Sequence, residues 1–408
     1  LYKNIGRNMS FSVDNFFDIN TEFPYDEEKK KFREHMDFLK SMSVQESTLY
    51  KNWKQWNYDE YGMTQKGALI DLAQKQLWMP KDINDIEGTF EEIKRIKPIV
   101  VPVEQGNPKA NDAWTVTRRL IHTMEFTANP GRNIKFYVKD EVTDKILGVI
   151  SLGSDVISVK VRDEFIGWTK ENRIEDGLLN HTAIATTICS TQPFGYNFLG
   201  GKLIAAMVTS KNVRNEWEKI YGQKLVGFTT TSLYGIHSMY NGIPHWKGLG
   251  ETSGRIGLKP DDEYYDKWHD WIKENRADEY KKKIQSKGGK SGPVTGIKQR
   301  ILSIIMNEMG LSSSKYEHGY NRGVFFAEIY DNTKDFLKGK IKEDELILKK
   351  RLDNDVESIV TWWQKKSLKR YYKLHTENRL KPEMLFYADM IGKTWEEAKT
   401  KYLGELGR

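Results

Sequence analysis

The segment from Ala183 to Thr231 limits the fold more than any other stretch of this chain. An apolar run, Ala183 to Cys189, leads into a glycine-punctuated turn, Gln192 to Lys202. Helical spacing follows from Leu199 to Ile220, with Leu203, Ala206, Met207, Val213 and Trp217 on one side, and then a second strand-like run, Leu225 to Thr231. Strands joined through a helix cannot close as a hairpin. The connection is a crossover, and it predicts parallel or splayed neighbouring strands. Residues 101–260 accordingly read as an α/β core.

The rest of that core agrees. Asn111 or Asp112 caps a helix that runs to about Thr127. Ile134 to Lys139 and Ile146 to Leu152 alternate as strands joined by a turn at Glu141 to Asp144. Residues 1–100 read as helical: Phe32, Met36 and Leu39 repeat at helical spacing within Glu27 to Met42, as do Leu69, Leu72, Ala73 and Leu77 within Thr64 to Leu77, until Pro80 stops the pattern. Such helices suit a helix-turn-helix or winged-helix module, or a packing cap on the core. Residues 261–408 form a charged helical region. Its first helix carries Trp268, Trp271 and Ile272, a Gly/Ser/Lys-rich linker occupies 286–296, and a strand-like run spans Arg322 to Tyr330.

Charge and cysteine usage narrow the function classes. The 64 basic and 57 acidic residues give a net charge of +7, which is compatible with nucleic acid and equally with a well-solvated surface. Cys189 is the single cysteine, so an intrachain disulfide and a cysteine metal cage are excluded. Within its apolar run it reads as a packed thiol. There is no apolar run long enough for a transmembrane helix, and Leu1-Tyr2-Lys3-Asn4 is not followed by a signal-peptide core. The expected protein is cytoplasmic, with no membrane partner.

Four constellations carry polar chemistry. The turn Gln192 to Lys202 follows a strand and opens a helix, so amides at the helix start and the glycines Gly195, Gly200 and Gly201, with Gln192 and Lys202, can seat an anion. Acyltransferases of the GNAT type bind the pyrophosphate of acyl-coenzyme A at such a place. The turn resembles theirs with longer spacing, and the likeness implies a mixed-sheet core and a phosphate-bearing donor, whereas a tight turn that binds nothing is the alternative. Arg162-Asp163 can orient a polar ligand, and Trp168 beside them can stack on a base; a surface ion pair followed by a core tryptophan is the other reading. Tyr240, Trp246, Thr252 and Arg255 flank a glycine-rich stretch suited to clamping a nucleic-acid backbone. Lys365, Lys366, Lys369 and Arg370 interleave with aromatics in a stretch that reads as a helix with Trp362, Leu368 and Tyr372 inward and the basic residues free to face phosphates. The histidines show no zinc-hydrolase spacing, no metal site is expected, and His122 and His181 read as core residues.

Between about residues 110 and 258 the chain resembles the DruA family, named for the Druantia antiphage systems. The likeness rests on Gly148-Val149-Ile150-Ser151-Leu152-Gly153-Ser154, Arg162-Asp163 with Ile166-Gly167-Trp168, Leu179-Asn180-His181-Thr182, Trp217 to Gly222, Tyr240-Asn241, and Trp246 to Arg255, in that order. Arg162, Asp163 and Asn180 are the candidate catalytic groups, and the resemblance itself supplies no reaction. The chain departs from the family pattern at Ile121-His122-Thr123-Met124-Glu125 and at Phe228-Thr229-Thr230-Thr231. The resemblance implies a DNA-associated protein of phage or mobile-element setting. Three activities remain open: a GNAT-like transferase acting on nucleobases, somewhat as phage Mom-type proteins do; a non-catalytic DNA-binding or virion-associated protein; and a strand-cleaving or strand-joining enzyme.

Overall fold

The computed structural model describes residues 23–58, 62–127, 131–233, 235, 238–252, 256–285, 294–318, 321–350, 356–381 and 386–406. In chain order the elements are α1 (Tyr25–Ser41), α2 (Val44–Asn57), α3 (Gly67–Gln76), α4 (Ile86–Arg95), β1 (Pro98–Pro102), α5 (Pro108–Ile121), β2 (Asn133–Asp140) and β3 (Ile146–Ser154). There follow α6 (Lys160–Ile166), β4 (Thr182–Ser190), α7 (Phe194–Phe198), α8 (Gly200–Met207), α9 (Lys211–Tyr221), β5 (Gly227–Ser232) and β6 (Trp246–Glu251). The remainder is α10 (Asp262–Asn275), α11 (Ala277–Gln285), α12 (Val294–Glu308), β7 (Gly323–Glu328), α13 (Thr333–Leu337), α14 (Val356–Thr376) and α15 (Trp395–Leu406). No helix among the described residues is long and apolar enough to cross a membrane.

By proximity the chain groups into two units: Leu1–Ser41 with Gly257–Glu317, and Met42–Ile256 with His318–Arg408. This grouping is discontinuous in sequence, whereas the regions 1–100, 101–260 and 261–408 are contiguous. In the first unit α1 turns Phe32, Met36 and Leu39 inward, as its spacing requires. Trp268 of α10 meets the edges of Phe23, Tyr25 and Phe32. Lys267 holds Glu28 at 2.7 Å, and Arg276 forks onto Glu308 at 2.9 Å.

The second unit holds a seven-stranded sheet in the order β1-β2-β3-β4-β5-β7-β6. All neighbours are antiparallel except β4 and β5, which pair in parallel at Thr182↔Gly227, Ala183↔Phe228 and Ile184↔Thr229. Beyond Ile184 the two strands no longer pair, which is the crossover geometry the Ala183–Thr231 segment demands. β4 also carries a bulge: Ser151 opposes Thr187 while Leu152 opposes Ala185, leaving Thr186 as the extra residue. Helix α8 covers β3 and β4 on one face, and α5 covers β2 to β4 on the other.

Several local expectations change. Asn107, not Asn111 or Asp112, caps α5 by accepting from the Ala110 amide, because Pro108 supplies the first helical turn; the helix ends at Ile121 rather than near Thr127. The expected long helix Leu199 to Ile220 is α8 and α9, preceded by the short α7. Leu199 stands at φ 55 between α7 and α8, and Ser210 occupies the position before α9 without a side-chain capping bond. The charged helix expected over residues 261–290 breaks at Arg276 into α10 and α11, and residues 286–290 lie outside the described residues. Ile70 rather than Leu72 joins Ala73 in facing the core from α3, and Leu72 is 52 % exposed. Of the linker 286–296, residues 286–293 lie outside the described residues and Val294 opens α12. The strand in Arg322 to Tyr330 is β7, and it sits between β5 and β6, so the region after residue 260 completes the core sheet.

Helix α14 buries Ile359, Trp363, Ser367, Tyr371 and Leu374. The expected inward face of Trp362, Leu368 and Tyr372 is therefore rotated by about one residue, and Tyr372 is 54 % exposed. What selects the observed face is the aromatic cluster on α7: Trp363 lies 5.5 Å from Phe194, Tyr371 stacks on Phe198 at 5.3 Å, and Trp363 Nε1 donates to the Phe198 carbonyl at 2.8 Å. Each such buried aromatic contributes about 1.5–3 kcal/mol.

Candidate functional site

The Gln192–Lys202 turn is filled by its own chain. The Gln192 side chain accepts from the Tyr196 amide at 3.0 Å, while the Gly195 and Asn197 amides reach the Thr191 and Pro193 carbonyls. The amides of Lys202 and Leu203 bond to the Leu199 carbonyl. Phe194 packs so closely on Gly200 that a Cβ there would stand 2.3 Å from its ring, and a Cβ on Gly201 would meet Met239 Sδ at 2.9 Å. The glycines allow close packing of side chains, and the amides of Gly195, Tyr196, Asn197, Lys202 and Leu203 are already engaged. Lys202 Nζ reaches over it to the carbonyls of Met239 and Asn241.

Tertiary packing brings a different set of groups to this corner. With its aromatic face buried, α14 leaves Lys365, Lys366 and Lys369 exposed and Arg370 half-buried. The Arg370 guanidinium lies 5.1 Å from the Tyr196 ring, and Lys381 Nζ lies 5.0 Å from it. Arg379 interacts with both Glu377 and Tyr196. Lys202 is held below the ordinary lysine pKa by burial first and by the Lys366 charge second. Among the described residues, Lys202, Lys366 and Arg370 make no ion pair, and Arg370 Nε is buried without a partner. Like charges such as Lys202 and Lys366, with no ion pair among the described residues, are relieved by an anion.

Arg162 and Asp163 lie in a buried ion network. Arg162 is fully buried; Nη1 meets Asp155 at 2.7 Å, Nη2 meets Asp163 at 2.7 Å and the Val156 carbonyl at 2.8 Å. Asp163 also binds Arg173 at 2.6 Å, and Asp155 accepts from the Thr229 hydroxyl at 2.8 Å. These groups fix α6 against the sheet. Trp168 is buried with Nε1 on the Leu337 carbonyl and Arg162 over its ring, so its faces are taken. Asn180 is exposed just before β4, and its carbonyl accepts from Arg132.

Tyr240 and Trp246 pack against each other and, through Tyr240, against Phe325, with Trp246 Nε1 on the Ala205 carbonyl. Their rings are core, and neither presents a face for stacking on a base. Burial pushes Tyr240 up to about 12. Thr252 is half-buried and accepts from the Arg322 amide at 3.1 Å. Arg255 lies outside the described residues. Cys189 is a packed thiol that burial pushes up to about 12, and His181 Nδ1–H donates to the Lys224 carbonyl at 2.9 Å. Sequence reasoning missed Tyr196. A tyrosine in a turn carries no local signal of what the fold sets beside it.

The family model described as Druantia protein DruA matches residues 52–339. The Druantia protein DruA of Escherichia coli (strain UMEA 4076-1) is 26% identical over 271 residues, covering 61% of this chain and 64% of that relative. The chain thus spans less than two thirds of the length of the curated relative. The match includes the sheet, Tyr196 and Lys202, and stops before α14. With the matched profile covering well over half of its length, this chain belongs to the DruA family.

Proposed function

We propose that this protein acts on DNA in an antiphage defence setting, gripping the phosphate backbone along the seam formed by α14 and the Gln192–Lys202 turn. The observation that carries the reading is Arg370 against the Tyr196 ring together with the like-charged neighbours Lys202 and Lys366, none of the three in an ion pair among the described residues. Lys365 and Lys369 extend the same exposed face of α14. Binding of this kind is sequence-independent and salt-dependent. The test is a titration of labelled duplex and single-stranded DNA at several salt concentrations. Affinity should fall steeply with salt, and salt-insensitive or absent binding removes the proposal.

A transferase reading is favoured by a separate observation: β4 and β5 run parallel for three registered pairs and then part at Ile184, while β4 runs on to Ser190 and the turn. Acyltransferases of the GNAT type hold acyl-coenzyme A beside such a turn. Because the amides of Gly195, Tyr196, Asn197, Lys202 and Leu203 are engaged, the donor's phosphates would rest on Lys202, Lys366 and Arg370. Incubation with DNA and acetyl-coenzyme A, followed by mass spectrometry of the released nucleosides, tests this. An added acyl mass supports it, and unmodified nucleosides with intact DNA binding leave the non-catalytic binder.

A further inference from the structure

Helix α14 presents more than charge on its outer face. Ile359, Trp363, Ser367, Tyr371 and Leu374 pack inward, which leaves two further large rings, Trp362 and Tyr372, outside the buried stripe. Tyr372 is 54 % exposed, and among the described residues it makes no hydrogen bond and no ring contact. Core packing does not account for it, because Tyr371 beside it is the ring that fills the space against Phe198. Trp362 is half-buried, and Lys366 Nζ lies 5.4 Å from its ring.

Helical spacing fixes how these rings stand to the lysines. Residues three and four apart on a helix are surface neighbours, with about 5–6 Å between their Cβ atoms. Lys365, Lys369 and Tyr372 therefore form one row, and Trp362, Lys366 and Arg370 form the next. Lys365, Lys366 and Lys369 are exposed and make no ion pair among the described residues. Lys373, beyond them, lies 3.7 Å from Glu377. From Trp362 to Tyr372 the face runs about 15 Å, the length of about four nucleotides of one strand.

The two forms of DNA make different demands on such a face. A duplex carries about twice the charge of one strand per unit length, so lysines alone favour the duplex. Its bases are stacked on one another and offer no face to Tyr372. An unpaired strand offers phosphates and open base faces together, and stacking on an aromatic ring makes up for its lower charge. We infer that the DNA held along α14 is an unpaired strand, with phosphates on Lys365, Lys366 and Lys369 and a base stacked on Tyr372. This rests on the reading of the seam as a DNA-gripping surface and narrows it to one form of DNA.

Anisotropy titrations of the full chain with three labelled probes of equal length test it. The probes are oligothymidine, its duplex with oligodeoxyadenosine, and a base-free strand with the same number of phosphates. Oligothymidine should bind at least about fivefold more tightly than either of the others. Y372A should weaken oligothymidine at least about fivefold, leave the base-free strand unchanged and keep the melting transition of the parent. Y372F retains the ring and should bind oligothymidine as the parent does. K365E with K369E should weaken all three probes. Should Y372A melt early, the comparison of oligothymidine with the base-free strand on the parent decides. A duplex bound as tightly as oligothymidine, a base-free strand bound equally well, or full affinity in a folded Y372A would each overturn the inference and leave the DNA-gripping reading in place. Absence of binding to every probe would remove both.

Discussion

Arg162 Nη1 sits 2.7 Å from Asp155 Oδ1 with both side chains wholly removed from solvent, and the other Asp155 oxygen holds the Thr229 hydroxyl at 2.8 Å. The pair therefore ties the loop after β3 both to α6 and to β5. Its geometry makes it a framework for the parted strands. Removing one partner leaves a buried charge uncompensated. Asp155→Ala should cost about 3–5 kcal/mol in urea denaturation, whereas Thr229→Val should cost about 1 kcal/mol. Equal losses would show that Asp155 acts only through Thr229.

The seam predicts a charge-reversal effect. K366E with R370E should reduce DNA affinity by at least about tenfold and flatten the logarithmic salt slope by about 0.9 for each phosphate no longer neutralised. Fluorescence anisotropy across a salt series reads both. Substituting Lys170, an exposed residue distant in sequence, in the same way is the control.

The two glycines of the turn should respond differently. A Cβ on Gly200 would meet the Phe194 ring at 2.3 Å and its backbone at 3.1 Å, within a packed aromatic cluster. Gly200→Ala should destabilise by about 1–3 kcal/mol. Gly201→Ala meets only the flexible end of Met239 and should cost less. Thermal melting of the two variants side by side decides.

Cys189 should be inert. Its thiol is pushed up to about 12 by burial, so at pH 8 roughly one part in ten thousand is thiolate, against roughly a quarter for an unperturbed thiol. Iodoacetamide should label it slowly in the native protein and rapidly in urea. Fast native labelling would mean that this part of β4 opens.

His122 links stability to pH. Burial, aided by Arg118, holds its pKa well below the ordinary value, and its Nδ1 accepts from the Met124 amide at 3.0 Å. Below pH ~6.5 the unfolded chain takes up a proton that the folded chain refuses, so stability falls as pH drops, by up to about 1.4 kcal/mol per unit. His122→Asn should flatten that decline between pH 6.5 and 5, measured by urea denaturation at each pH.

The crossover, the hairpin of β2 and β3, and the first helix were legible in the sequence because each rests on local periodicity and turn chemistry. The face of α14 was not. Its doublets Trp362-Trp363 and Tyr371-Tyr372 give two adjacent faces almost equal apolar character, and only packing on Phe194 and Phe198 selects Trp363 and Tyr371. The basic residues of α14 could be named from sequence, but not their neighbours.

By itself, then, the sequence determined that a parallel pair of strands must lie within a mixed α/β core, because a helix between two strands forbids a hairpin. It also carried the succession of motifs that marks the family. Tertiary structure alone decided which polar groups face outward. Arg162 and Trp168 went inside because Asp155, Asp163 and the Leu337 carbonyl meet all that burial requires of them. Arg370 came to Tyr196, and Lys366 to Lys202, because α14 docks on α7 and α8, about 150 residues earlier in the chain. Such docking depends on the complementarity of distant surfaces, and no local spacing encodes it.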